Sequence, residues 1–327
     1  RSPRSRMTLK VSASIPIVDL CSTTSPADDA DIARTLDDAL TGHGFCYLRG
    51  HNVDPLCITD IFHANQDFHQ LSQASKDAVK INAFHRGYIG LNESTTFTSS
   101  VESVTQPNQS ESFMLMQPVG PDHARWGTAV FGPNQWPDTL MPAFQERCLR
   151  YYNAMVALAH ELTQRLATAL GHKSDVFDNA FSDPTVFLRL IRYPACNPDS
   201  PAQTCGSAAH TDHGFVTLVA QDSNGGLEVR NSDRRWVPVE PIPGTLVLNV
   251  ADMLSLWSGG RWPSTPHRVV LNDGERYSVA FFFDPAFDTT VQPLGGLGES
   301  SGAERSLHYG HYLMERFDKN YDYRCEE

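Results

Sequence analysis

After Pro184 the chain breaks into short alternations of apolar and polar residues, and no other feature narrows its possible folds so far. The segments 186–193, 215–221, 226–229, 236–239, 245–249, 268–271 and 276–283 each carry the period of two that sends successive side chains to opposite faces of a strand. Short strands at this spacing, separated by turn-forming residues, imply a sandwich or jelly roll.

Ahead of Pro184 the pattern is mixed. Ile15-Pro-Ile-Val-Asp-Leu20 alternates like a strand, and residues 28–40 place Ile32, Leu36 and Leu40 on one helical face that Gly42 and Gly44 terminate. Residues 45–48 read as a strand and 55–71 as a helix striped by Ile58, Ile61, Phe62 and Phe68. The Ser, Thr, Asn and Gly between 84 and 109 predict a long loop or an irregular strand pair. From 141 to 170 the residues Phe144, Cys148, Tyr152, Met155, Leu158, Leu162, Leu166 and Leu170 recur every three or four positions, which makes this the longest helix. A Gly/Ser-rich linker at 295–302 leads to a terminal helix at 306–317. The chain therefore divides into an added remnant (1–6, ahead of Met7), a helical and strand region packing on the core (7–183), the jelly-roll core (184–290), and a linker with the C-terminal helix (291–327).

Composition excludes some roles. With 327 residues, 40% of them hydrophobic, the chain can bury a substantial core. Asp and Glu outnumber Lys and Arg by 38 to 26, a formal charge of -12 that favours neither nucleic acid nor an anionic membrane. A small-molecule substrate fits better. No apolar run approaches the roughly 18 residues of a membrane helix. The 7 cysteines are odd in number and scattered, which argues against a disulfide framework and for a reducing, cytoplasmic home.

Two constellations carry chemistry. His210-Thr-Asp212 sets an imidazole and a carboxylate two residues apart, so an extended segment projects both from one face. His267, just before the strand at 268–271, can supply a third ligand. Two histidines and a carboxylate on one face of an octahedron leave positions open, the arrangement of non-haem Fe(II) oxygenases. The bland alternative is a chance triplet among 13 histidines and 38 acids. Arg276-Tyr-Ser278 then places a guanidinium and a hydroxyl on one strand face, a two-point receptor for a carboxylate, unless the arginine merely pairs with a structural acid.

In this order and spacing, His210-Thr-Asp212, His267-Arg-Val269 and Arg276-Tyr-Ser278 resemble the isopenicillin N synthase-like branch of the 2-oxoglutarate- and Fe(II)-dependent dioxygenases. The likeness extends to Ile15-Pro-Ile-Val-Asp-Leu20, Gly44-Phe-Cys-Tyr-Leu48, Arg86-Gly-Tyr88, Glu111-Ser-Phe113, Gly226-Leu-Glu-Val229, Pro243-Gly244 and Asn249-Val-Ala-Asp252. Leu188-Arg-Leu-Ile-Arg-Tyr-Pro194 looks closest to microbial members such as the thymine hydroxylase group. The resemblance implies a double-stranded β-helix core flanked by helices, and His210, Asp212 and His267 as Fe(II) ligands. It further implies 2-oxoglutarate as co-substrate, held by Arg276, Ser278 and Tyr193, with O2 and ascorbate as reductant. The implied reaction hydroxylates or otherwise oxidises a small molecule while 2-oxoglutarate becomes succinate. Two departures stand out: Ala251 where the family has Gly, and Pro266 directly before His267, which predicts an edge or bulge there.

Three residues are candidates for substrate contact. Arg189 shares a strand face with Tyr193, Phe282 shares one with Arg276, and His213 follows Asp212. The alternatives are a structural ion pair, a core phenylalanine and an exposed histidine. Cys196 and Cys205 match no short zinc knuckle, His308 and His311 suit a solvated or capping face, and Gly295-Gly-Leu-Gly298 suits a hinge. Two rival functions are an oxidase of the same family that needs no 2-oxoglutarate and a non-catalytic jelly-roll binding module.

Overall fold

A computed structural model describes residues 15–21, 26–96, 99, 101–197, 205–295 and 306–321. The six residues read as a remnant, and all but the first residue of the 295–302 linker, lie outside these. The N-terminal part comprises β1 (Ile17–Asp19), α1 (Pro26–His43), β2 (Phe45–Arg49), α2 (Pro55–His69), α3 (Gln73–Asp77), β3 (Gly87–Ile89), β4 (Glu111–Met116) and α4 (Phe144–Ala169). Then follow β5 (Thr185–Tyr193), β6 (Cys205–His210), β7 (Val216–Gln221), β8 (Leu227–Arg230), β9 (Trp236–Pro238), β10 (Leu246–Val250), α5 (Asp252–Trp257), β11 (His267–Val270) and β12 (Arg276–Asp284). The short strands β13 (Thr290–Val291) and β14 (Leu307–His308) pair just ahead of α6 (Tyr309–Asn320).

The strands form an eight-stranded sheet, ordered β1-β2-β10-β7-β12-β5-β4-β3, and a four-stranded sheet, ordered β6-β11-β8-β9. Together they make a jelly roll, the double-stranded β-helix. Its interior is filled by Phe45, Tyr47, Ile191, Tyr193, Leu227, Val229, Val247, Val269 and Ala280. The opposite face of the large sheet is covered by α1, α2 and α4. The expected stripe of α4 is the side buried there, from Phe144 through Leu166. Because helices cover one face and the roll's interior the other, central strands are apolar on both sides. This is why β4 and β10 are buried at every position instead of alternating. Among the described residues no helix is long and apolar enough to cross a membrane.

Three elements depart from the sequence reading for local reasons. β6 is Cys-Gly-Ser-Ala-Ala-His, too small and weakly β-forming to announce itself, yet it pairs with β11. α5 has six residues, too few for a helical period. β4 lies outside the expected strands altogether. Gly44 is needed between α1 and β2: its φ is +65°, and a Cβ there would lie 2.3 Å from the Pro263 carbonyl oxygen. The expected irregularity at Pro266 is a bulge and not an edge, since β11 lies between β6 and β8 and its register against β6 shifts between His267 and Val269. Ala251 is tolerated because its backbone is extended (φ -102°, ψ 177°), with no demand for glycine.

Candidate active site

The register of the large sheet lays out the site's floor. β12 pairs with β5 as Arg276–Tyr193, Ser278–Ile191, Ala280–Arg189, Phe282–Phe187 and Asp284–Thr185, and with β7 as Ser278–Gln221, Ala280–Val219 and Phe282–Thr217. These alternate positions share the interior face, each row about 6.7 Å from the next.

His210 ends β6 and His267 begins β11, and the two face each other directly across the antiparallel pair, rings 4.4 Å apart. Asp212 is not on the strand, as an extended His-x-Asp would require; it sits in the turn into β7. Its Oδ1 lies 3.6 Å from His210 Nε2 and 3.7 Å from His267 Nε2, and one ligand atom from each of the three residues falls within 4.8 Å of the others, so the set can hold a single metal ion. Both Nδ1 atoms are taken up by carbonyls, His210 with Ala208 at 2.7 Å and His267 with Thr265 at 3.2 Å. That fixes the tautomers and turns both Nε2 lone pairs inward. Asp212 Oδ2 is occupied by the Thr217 hydroxyl at 2.5 Å and the Asn249 amide at 2.7 Å, which frees Oδ1.

Electrostatics agree. Burial pushes the Asp212 carboxyl up, but the two imidazoles and the Thr217 and Asn249 donors outweigh it and bring it to about 2. Burial, with His267 beside it, lowers His210 to about 4, leaving it neutral at neutral pH. An ionised carboxylate beside a neutral imidazole is a ready donor set for a divalent cation.

Arg276 is 3% exposed, at the Tyr193 end of the floor. Its Nη1 donates to Ser278 Oγ at 3.1 Å, its Nη2 to Gln221 Oε1 at 3.3 Å, and its guanidinium lies over the Tyr193 ring at 4.9 Å. Among the described residues no carboxylate pairs with it, and its Nε is buried without a partner. A buried guanidinium with spare donors is costly unless an anion completes it. These residues therefore fit a dicarboxylate such as 2-oxoglutarate, and the structural-acid alternative has no support.

Beside His210 and Asp212 opens a cavity of about 120 Å³ walled by Met114, Phe187 and Phe282 and by Leu313 and Phe317 of α6. Arg189, His213 and Asn108 reach it as polar groups. Arg189 Nε donates to Ser112 Oγ at 2.9 Å, and no acid among the described residues forms an ion pair with it. His213 Nδ1 is buried without a hydrogen-bond partner, 3.8 Å from Asp252 Oδ2, which is too long for a bond. Phe282 is part-buried and packs against both hydrophobic clusters. Cys196 and Cys205 are free thiols. His308 caps α6 by accepting from the His311 backbone.

The sequence reading missed Thr217, Gln221 and Asp284 on strands and Tyr309 and Tyr312 on α6, and it named Asn249 and Asp252 only as the ends of a family-like motif, without their part in holding these groups. The polar Thr217 and Asn249 within apolar strand runs were the available signal.

Comparison with known proteins agrees with this geometry. The profile of the 2OG-Fe(II) oxygenase superfamily matches residues 184–285, and that of the non-haem dioxygenase in morphine synthesis N-terminal region matches residues 15–139. A homoarginine-6-hydroxylase of Oryza sativa subsp. japonica is 32% identical over 94% of this chain and 97% of its own. The 2-oxoglutarate-dependent dioxygenase citB of Monascus ruber is 32% identical over 97% and 98%. The crystal structure of a full-length Neurospora crassa protein in complex with alpha-KG and thymine superposes with a TM-score of 0.81 at 25% identity, covering 93% of this chain and 96% of that one. With relatives above 30% identity along nearly its whole length, this chain belongs to the 2OG-Fe(II) oxygenase superfamily: it is a 2-oxoglutarate-dependent dioxygenase that uses Fe(II), 2-oxoglutarate and O2.

Proposed function

We propose that His210, Asp212 and His267 hold the iron, that Arg276, Ser278 and Tyr193 hold 2-oxoglutarate, and that a small polar substrate occupies the cavity between Arg189, His213 and Phe282. The observation that carries the reading is the buried Arg276, short of an anion, on the interior face of the large sheet in the same roll whose small sheet and adjoining turn bring the three ligand side chains together. Bound there, Fe(II) supplies O2 activation coupled to oxidative decarboxylation of 2-oxoglutarate, which oxidises a substrate C–H bond. The chain's own groups do the rest. Thr217 and Asn249 keep the Asp212 carboxylate oriented. The Arg276 guanidinium and Ser278 hydroxyl would hold the far carboxylate, with Tyr193 stacked on the guanidinium.

Arg189 offers the substrate an oxygen-directed fork, since its terminal nitrogens meet no acid among the described residues, while Phe282 and Phe187, their rings nearly perpendicular at 87°, form an apolar corner. A cationic fork beside an apolar corner suits a small amide or carboxylic acid with an exposed C–H. All nine of these positions come from residues 184–290, which supports treating that stretch as the catalytic region. The free cysteines favour a reducing, cytoplasmic setting. The test is anaerobic titration of Fe(II)-loaded protein with 2-oxoglutarate, followed by a metabolite screen in air for stimulated succinate release. Thymine, homoarginine and aromatic acids belong in the first panel. Failure of 2-oxoglutarate to bind would remove the Arg276 assignment. Arg189→Ala is expected to weaken substrate at least tenfold while substrate-independent turnover of 2-oxoglutarate continues; unchanged affinity would take Arg189 out of the pocket.

A further inference from the structure

We infer that Tyr309 and Tyr312 are positioning residues that tie the seating of α6 over the cavity to the loop carrying Asp212. The inference rests on Asp212 as an iron ligand, proposed above. α6 roofs the cavity with Leu313, Phe317 and Asn320, and its ends are held by the two-residue ladder of β14 on β13, by backbone bonds from Tyr309 to Thr289 and from Gly310 to Phe287, and by contacts of Asn320 and Tyr321 with Thr95 and Ser94. Tyr309 and Tyr312, three apart, lie on neighbouring positions of one helical side.

Each hydroxyl reaches an acid that in turn holds the loop, the buried Asp284 through its carboxylate and the part-buried Asp252 through its backbone. Tyr309 donates to Asp284 Oδ2 at 2.7 Å, and Asp284 Oδ1 accepts from the Phe215 backbone at 2.9 Å. Tyr312 donates to Asp252 Oδ2 at 2.7 Å, and the Asp252 backbone donates to the Asp212 carbonyl at 2.9 Å. The Met253 backbone closes the clamp on the Gly214 carbonyl at 2.8 Å. Packing leaves no slack, because a Cβ on Gly214 would lie 1.5 Å from Asp284 Oδ1. Tyr309 is wholly buried and Asp284 is 4% exposed, so no water replaces the phenol without the helix moving. Were α6 to lift, Asp284 would lose a donor where an unmet acceptor is costly and Asp252 would lose one at a part-buried position, and both residues that anchor the loop from Thr211 to Phe215 would lose their support. A roofed cavity and a correctly placed Asp212 are thus stabilised by the same bonds.

Tyr309→Phe, Tyr312→Phe and the double variant test this in the full chain. Two readouts are taken: Mn(II) affinity under anaerobic conditions, and deuterium exchange of the backbone amides of residues 213–215 in metal-free protein. Each single variant is expected to weaken Mn(II) about tenfold, as loss of groups behind a ligand does, and to speed exchange in the loop as well as in α6. Tyr88→Phe removes a similar buried bond, to Glu111 on the helical side of the sheet, and is expected to move neither readout. Wild-type Mn(II) affinity and loop exchange in the double variant, with α6 alone exchanging faster, would overturn the inference. If the double variant does not fold, the single variants decide by the same criteria. If the wild-type protein binds no Mn(II), the ligand assignment fails, and loop exchange in metal-free protein still decides the coupling.

Discussion

Asp212 and Arg276 show two ways in which a single side chain is prepared for a partner of opposite charge. Asp212 has one oxygen bonded and one free, and its carboxyl is held at about 2, so it meets a cation already ionised. Asp212→Ala is expected to lower metal affinity by more than about 100-fold, beyond what loss of a supporting residue does, and to abolish succinate formation; metal content measured alongside turnover checks both. Arg276 is buried with donors to spare. Arg276→Gln removes a charge-assisted bond worth about 1.5–3 kcal/mol, which corresponds to a rise of about 10- to 100-fold in KM for 2-oxoglutarate. Because the far carboxylate is held equally before and during reaction, kcat at saturating 2-oxoglutarate is expected to change little. A fall in kcat with constant KM would contradict that role.

At the scale of elements, the site depends on strand register. His210 and His267 are opposed because β6 and β11 pair at that point, and Asn249 reaches Asp212 because β10 lies beside β7, Asn249 opposite Thr217. A slip by one residue would turn every one of these groups to the other face. Asn249→Ala keeps the strand and removes one of two donors to Asp212 Oδ2. Metal affinity is expected to fall about 10- to 100-fold with the fold intact, read by metal titration beside a circular dichroism spectrum. Gly206→Ala tests the small sheet, since a Cβ there would lie 2.6 Å from Tyr193 Cδ1. It is expected to displace the ring beneath Arg276 and to raise KM for 2-oxoglutarate more than it lowers the unfolding midpoint.

The whole molecule stores its own pH limits. His69, on α2 against the large sheet, is buried, and burial lowers it to about 4 from an ordinary 6.5. Its folded pKa lies below its unfolded one, so the unfolded chain binds more protons as pH falls. The associated stability is complete above about pH 6.5 and is lost between there and pH 4, on the order of 3 kcal/mol in all. Asp284 runs the other way: burial raises it to about 7 from an ordinary 3.8 against the Tyr309 and Phe215 donors, so its contribution is complete below about pH 4 and is lost as pH rises from there to 7. In metal-free protein the two slopes therefore oppose each other between about pH 4 and 6.5, and in urea unfolding these two groups are expected nearly to cancel there. His69→Gln should make stability fall as pH rises over that range and Asp284→Asn should make it rise; unchanged slopes in both would contradict these assignments.

How much of this was legible in the chain follows from what is local. Period-two runs after Pro184 announced the jelly roll, α4 announced itself by a stripe of apolar residues, and the triplets around His210, His267 and Arg276 carried their chemistry in residue type and order. Those signals survive in one dimension because ligand identity and strand alternation are properties of neighbouring residues. β4, β6 and α5 did not announce themselves, nor did Thr217, Asp284 and the two tyrosines of α6, and Asn249 showed only as part of a motif without a role. Their roles exist only once distant segments meet: β6 gains its partner from β11, and the Asp284 carboxylate finds Phe215 and Tyr309 from opposite directions in sequence. Residue type and order alone settle which groups can hold a metal and an acid. Folding settles which oxygen of Asp212 is free, which nitrogens of the histidines face inward and that Arg276 meets no counter-ion among the described residues, because each depends on hydrogen bonds and burial contributed by segments far away along the chain.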